Sequence, residues 1–272
     1  MHSTAFIINK RKTGDFMVIN KVLEAAKPYL EGRIIKDVVI GLSLIAIQLD
    51  NGNVGVSYML RESLPNGCSV FPYAQDIIGK SAQEIAEWIL IGKEDAQRGI
   101  GMAVLTATSR SQMLQDVDSP DLSFGINVLP TDTVGMIGYI PPIASEFKRK
   151  AKKVIIFDMG LSLRGGDKGE VYSIKDQPKL LPTCDIVILS GTTVINNTID
   201  ELLTRCSGAK EIIMVGSSTP MFPEAFKDTK VTVLAGSWWD EEQKDKIFKE
   251  ISLACGISHL KKYMIKKAVS TK

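Results

Sequence analysis

The sequence predicts a mixed α/β protein, with a C-terminal Rossmann-like, doubly wound parallel sheet preceded by a smaller α+β domain. Three observations carry this. Five short, continuous apolar runs occupy the second half of the chain, at residues 133–140, 153–158, 185–191, 211–216 and 231–236. Helical patterns, such as 194–206 and 240–255, lie between several of them. The first half has a different grammar: a helix, three strands in succession, then two helices. Strands that are apolar throughout are buried on both faces, as a parallel sheet covered by helices requires. Right-handed crossovers then make the arrangement doubly wound.

Taken in order, residues 16–30 form an amphipathic helix, because Val18, Val22, Leu23, Ala26 and Leu30 recur at helical spacing. Pro28 is expected to distort or shorten its last turn. Strands follow at 33–41, 42–49 and 53–59, the last two joined by Asp50-Asn51-Gly52. Asn-Gly between apolar runs marks a hairpin, since both central residues tolerate positive φ. Pro65, Gly67 and Pro72 keep the loop at 61–73 irregular. Ser81-Ala82-Gln83-Glu84 has the form of a capping box opening the next helix. Residues 94–114 form an apolar helix through Ile100, Ala103, Val104 and Ala107, central to the first domain. Periodicity is lost at 115–130, where Asp118, Ser119, Pro120 and Asp121 cluster. The linker is placed there, dividing the chain into domains 1–118 and 119–272.

The chain has 272 residues and is 44% hydrophobic, enough apolar material for two cores. Lysine and arginine number 33 against 31 acids, a balance without the electrostatic footprint of a nucleic-acid binder. The basic stretch Lys261, Lys262, Lys266 and Lys267 reads as a solvated helix face or frayed terminus. No run reaches the ~18 apolar residues of a membrane span, and residues 1–15 lack the apolar core of a signal peptide. A cytoplasmic location without membrane partners is expected, and the composition is compatible with a homo-oligomer. Cys68, Cys184, Cys206 and Cys255 are widely spread with no CxxC pair, which argues against a disulfide framework or structural zinc.

Ligands of an open α/β sheet bind beyond the carboxyl ends of its strands. Those ends carry Tyr139 and Pro141; Asp158; Gly191, Thr192, Thr193 and Asn196; Ser217, Ser218 and Thr219; and Gly236 followed by Trp238-Trp239. Small and hydroxyl residues serve as helix caps and tight turns. Converging on one crevice, they would also offer N–H and hydroxyl donors to a phosphate or carboxylate. Arg61 and Glu62, on the irregular loop of the first domain, would close over that crevice as a lid. Gly135-Met136-Ile137-Gly138, with Asp158 about twenty residues on, has the outline of a dinucleotide fingerprint, but the third glycine is missing and Pro141-Pro142 fills the turn. Asp158 reads equally as a ribose ligand or a turn cap. There is no Walker loop, GxSxG or HExxH, and the two histidines, His2 and His259, lie near the ends of the chain.

Four phrases, TVGMIGYIPPI, CDIVILSGTTVINNTIDELL, EIIMVGSSTPMFPEAF and VTVLAGSWWD, together resemble a family labelled for heavy-metal chelation, a Rossmann-like domain of unknown function. In that family an enolase N-terminal-like domain precedes it, and residues 16–114 are similar to such a domain. The resemblance implies a site in the cleft between the two domains, a metal ion or metal chelate as its occupant, and a link to anaerobic cobalamin metabolism or metal handling. Two functional readings stand side by side. One is a protein that binds a small anionic or metal-bearing ligand between its domains. The other is a transferase or synthase acting on a nucleotide-like or tetrapyrrole-related substrate. The missing general base favours the first.

Overall fold

The computed structural model describes residues 17–61, 64, 71–163 and 171–272. Its N-terminal unit begins with helix α1 (Val18–Leu30), which buries Val18, Ile19, Val22, Ala26 and Leu30 along one stripe. Pro28 sits inside this helix without ending it. Strands β1 (Ile35–Ile40), β2 (Leu44–Leu49) and β3 (Val54–Tyr58) form an antiparallel meander. Three short-to-long helices follow, α2 (Ala82–Ala86), α3 (Trp88–Ile91) and α4 (Asp95–Ser109).

Two local expectations are corrected. The β2–β3 hairpin turns on a three-residue loop in which Gly52 alone has positive φ, +93°, while Asn51 does not. The Gly52 N–H donates to Leu49 O at 3.0 Å, so the loop is of the kind that ends in a left-handed glycine rather than the two-residue mirror-image turn. Ser81 makes no side-chain cap. Instead the Ala82 N–H donates to Arg33 O at 2.9 Å, so the backbone just before β1 satisfies one amide of the helix terminus that the capping box was expected to serve.

The small sheet is covered on both faces. Ile35, Ile45, Ile47 and Leu49 pack with α1 and α4. Leu44, Ala46, Val54 and Val56 pack instead against Trp239, Ile247, Phe248 and Ile251 from the far end of the chain. That is why the β2 sequence, LIAIQL, is apolar at every position but Gln48 although the strand is antiparallel. β3 lies directly on α4: a Cβ at Gly55 would fall 2.1 Å from Ala103 O and 2.2 Å from Ala107 N, so only glycine allows the approach. α4 is therefore buried on nearly all sides from Gly99 to Ser109.

The second unit contains β4 (Thr133–Ile137), α5 (Pro141–Lys150), β5 (Lys153–Phe157), α6 (Met159–Leu163), β6 (Val171–Tyr172), α7 (Gln177–Leu180) and β7 (Ile186–Ser190). It continues with α8 (Thr192–Ile195), α9 (Ile199–Arg205), β8 (Glu211–Val215), β9 (Val233–Trp239), α10 (Lys244–Ser252), α11 (Ile257–Leu260) and β10 (Met264–Ser270). The sheet runs β10-β9-β8-β7-β4-β5-β6. All neighbours are parallel except β10, which pairs antiparallel with β9. Counted from β4 as the first strand, the order is the 3-2-1-4-5-6 of a Rossmann sheet with one strand added.

The basic C-terminal stretch divides: Lys261 and Lys262 are exposed on a short 3-10 turn, whereas Lys266 and Lys267 belong to a strand rather than a helix face or frayed end, pairing with Ser237 and Gly236. An edge strand carrying lysines is a common protection against sheet-to-sheet association. The helix expected over 194–206 is two helices, interrupted where Asn197 adopts φ +57°. Pro141 and Pro142, expected to occupy a turn, open α5 as its first residues, where a missing N–H costs nothing. Between the units, the Val117 N–H donates to Ala268 O and the Ala268 N–H to Asp116 Oδ1, pinning the connecting segment to β10.

Candidate ligand site at the strand ends

β4 and β7 are neighbours, but the chain leaves them in opposite directions, toward β5 and toward β8. Their carboxyl ends therefore flank a switch-point crevice. On the β4 side Gly138 has φ +89°, and a Cβ there would meet Ser190 Cβ at 2.9 Å, so conformation and space both demand glycine. Asp158, at the end of β5, accepts the Tyr139 N–H at Oδ2 and the Leu161 N–H at Oδ1, both at 2.9 Å. Its carboxylate ties the β4 loop to the start of α6.

The dinucleotide outline is not built as such. Gly135 lies within β4, where a Cβ would stand 2.9 Å from Cys184 Sγ, so it is a packing glycine. α5 opens on two prolines, which withhold the amides that a pyrophosphate at a helix N-terminus would need.

On the β7 side, Ser190 Oγ and Thr192 Oγ1 are hydrogen-bonded at 2.8 Å, and both residues are half-buried. Thr193 is buried and donates its hydroxyl to Ser190 O at 2.8 Å. Asn196 is half-buried, and its Oδ1 accepts the Thr198 hydroxyl at 2.7 Å, preparing the turn into α9. Gly191 is pressed against the next loop: a Cβ would fall 2.5 Å from the Ser218 carbonyl carbon and oxygen.

The β8 loop is covered by the N-terminal unit. Ser217, Ser218 and Thr219 are buried, and Ser218 Oγ accepts the Tyr58 N–H at 2.8 Å. Ser217 Oγ and Thr219 Oγ1 have no hydrogen-bond partner. Gly236 on β9 faces Met221, whose Sδ would lie 2.5 Å from a Cβ. Alongside, Arg98 of α4 donates through Nε to Ile195 O at 2.7 Å, clamping α8.

The sequence-derived residues thus separate by access. Tyr139, Asp158, Thr192 and Asn196 are half-buried and Pro141 is exposed, whereas Gly191, Thr193, Ser217, Ser218, Thr219 and Gly236 lie in or beneath the contact with the N-terminal unit. Arg61 is exposed just beyond β3, and Glu62 lies outside the described residues. Ser190 and Gly216 join the accessible rim without having been singled out from the sequence, and so does Gly138, which the sequence offered only as part of a dinucleotide outline.

A chelating site needs deprotonated donors grouped in space. Among the described residues no group of three or more His, Cys, Asp or Glu side chains could hold a metal ion. Burial pushes the Cys184 thiol up to about 11 and the Cys206 thiol up to about 12, so both remain protonated at neutral pH. The described residues do not fit a resident heavy metal. No helix among them is long and apolar enough to cross a membrane.

A 3-2-1-4-5-6 parallel sheet accompanied by a small antiparallel sheet defines a Rossmann-like α/β protein. Family models described as "Putative heavy-metal chelation" match residues 23–109 and 121–270. The second alone spans more than half of the chain, and the chain belongs to that family. An uncharacterised protein of Methanocaldococcus jannaschii is 29% identical over 143 residues, 52% of this chain and 54% of the relative, so the match spans about half of that protein. A crystal structure of a protein of unknown function from Pyrococcus horikoshii, of the same C-terminal domain family, superposes with a TM-score of 0.73 at 23% identity, covering 93% of this chain and all of that one. One from Desulfitobacterium hafniense, also of unknown function, gives 0.71 at 18% identity over 92% of this chain and 98% of its own. At these identities the likeness speaks to the fold.

Proposed function

We propose that this chain is a binding protein that holds a small anionic ligand, or an anionic chelate that brings its own metal, at the switch-point crevice. The observation that carries the reading is the half-buried hydroxyl pair Ser190–Thr192, set opposite Gly138 where β4 and β7 diverge. Tyr139, Pro141, Asp158 and Asn196 form the rim. Gly191, Thr193, Ser217, Ser218, Thr219 and Gly236 hold its shape, and Arg61 and Glu62, which follow β3 in the sequence, are the proposed lid. A metal in this scheme is cargo, since the described residues supply no donor set for it. Binding rather than turnover is favoured because the only described histidine, His259, is exposed on α11, remote in sequence from every strand-end loop.

The test is native mass spectrometry of the purified protein with elemental analysis of the same sample, followed by titration of any co-purifying compound and of phosphate-, carboxylate- and corrin-bearing probes. Thr192→Val and Ser190→Ala each remove one hydroxyl and are expected to weaken binding about tenfold, since a hydrogen bond to a charged acceptor contributes roughly 1.5–3 kcal/mol. Unchanged affinity in both variants would overturn the assignment.

A further inference from the structure

Trp238 lies on β9 with its side chain buried, and two cations rest against its ring: Arg110 Cζ is 4.9 Å from the ring centroid and Lys267 Nζ is 5.3 Å away. They arrive from different ends of the chain. Arg110 directly follows α4. Lys267 is on β10 opposite Gly236, so its side chain is the diagonal neighbour of Trp238.

Two like charges have been brought within about 10 Å of each other, on the order of the screening length at 0.1 M salt. Neither forms an ion pair with a carboxylate among the described residues. Arg110 complements the carbonyl end of α4, which accounts for one cation but not for the second. The same place holds donors without acceptors. Trp238 Nε1 is buried and unpartnered, and an indole N–H can only donate. Thr219 Oγ1 is likewise buried and unpartnered, with its Cβ 3.5 Å from where a Gly236 Cβ would stand.

We propose that Arg110, Lys267, Trp238 and Thr219 form a second site, which takes an oxyanion of the phosphate or carboxylate class. Two cations, an orphaned indole N–H and an orphaned hydroxyl share one missing partner, an acceptor carrying negative charge. The site is centred apart from the Ser190–Thr192 pair: β9 stands two strands from β7, roughly 10 Å at the usual strand spacing, with Thr219 on the loop after the intervening β8. It joins α4 of the N-terminal unit to the edge of the large sheet, so an anion bound there would also tie the two units together.

The experiment is a titration of the full chain with inorganic phosphate at constant ionic strength, replacing chloride, followed by tryptophan fluorescence. Malonate in a parallel series distinguishes a carboxylate from a phosphate preference, and saturation by either supports the site. The wild-type chain and Lys266→Met, whose side chain lies on the other face of β10, are expected to saturate alike. Lys267→Met and Arg110→Gln are each expected to bind about tenfold more weakly or worse, the loss that removing one charge-assisted hydrogen bond produces. Lys267→Met alters only an edge strand and keeps the test decisive if Arg110→Gln disturbs α4. The absence of a saturable response to either anion in the wild type, or an equal response in Lys267→Met with its circular dichroism intact, overturns the proposal.

Discussion

Replacing Ser218 with alanine removes one hydroxyl from a loop that is buried against the N-terminal unit. Ser218 Oγ is the acceptor for the Tyr58 N–H, at 2.8 Å, and connects the end of β3 to the loop after β8. Alanine leaves that amide without its partner in a site where Ser218 itself is 1% exposed. An orphaned buried donor costs about 1–3 kcal/mol. For a chain of this size each kcal/mol corresponds to about 2–4 °C, so Tm should fall by roughly 2–12 °C. The thermal melt measures the total, and hydrogen exchange localises it: the Tyr58 amide should lose protection by about tenfold per 1.4 kcal/mol. A Tm within a degree of wild type, with Tyr58 protection unchanged, would refute the reasoning. It would return Ser218 to the role of ligand donor, whose loss lowers affinity and leaves stability alone.

Gly191→Ala forces a methyl group to within 2.5 Å of the Ser218 carbonyl, so the β7 and β8 loops must part; urea denaturation should show a loss of at least about 1–3 kcal/mol, and an unshifted midpoint would count against the packing described. Cys184 and Cys206 are held as neutral thiols, with values raised from the ordinary 9.0 to about 11 and about 12. Their contribution to stability is fully present below pH 9 and is lost as pH rises through about 11–12. Denaturation midpoints followed across that window should decline, and at neutral pH half-buried Cys255 should react with a thiol reagent before either buried cysteine. We propose the domain boundary at 118/119, and limited proteolysis should cut at exposed residues 118–121 rather than at Val117, whose amide is bound to β10; cleavage elsewhere with this segment intact would argue against it.

The parallel core was legible because its strands are buried on both faces and are therefore apolar without interruption, as in IVILS and EIIMV. The hairpin was legible too, from Asn51-Gly52 between apolar runs, but the cover over its second face and the C-terminal strand were not. β2 is apolar but for Gln48 although antiparallel, because α10 covers a face that local sequence assigns to solvent. β10 hid because MIKKAVS combines surface lysines with a pattern too short to separate from a terminal tail. At the strand ends the residue types were legible, but their access was not. Nothing near Ser217–Thr219 signals that β3 and α4 lie over them. Trp238 at a strand end and Lys267 in a basic stretch were visible singly, but their meeting with Arg110 carries no local signal, since only the fold brings α4, β9 and β10 together.

The hairpin of the N-terminal unit is closed on its second face by Trp239, Ile247, Phe248 and Ile251. During synthesis, residues 44–56 therefore leave the ribosome long before the helix that covers them exists. Until α10 arrives, Leu44, Ala46, Val54 and Val56 form an open apolar surface on a short sheet, the kind of surface that chaperones hold and that aggregates when left alone. A nascent chain arrested before residue 240 should consequently engage a chaperone that releases the finished protein, and maturation should proceed in one late step rather than domain by domain.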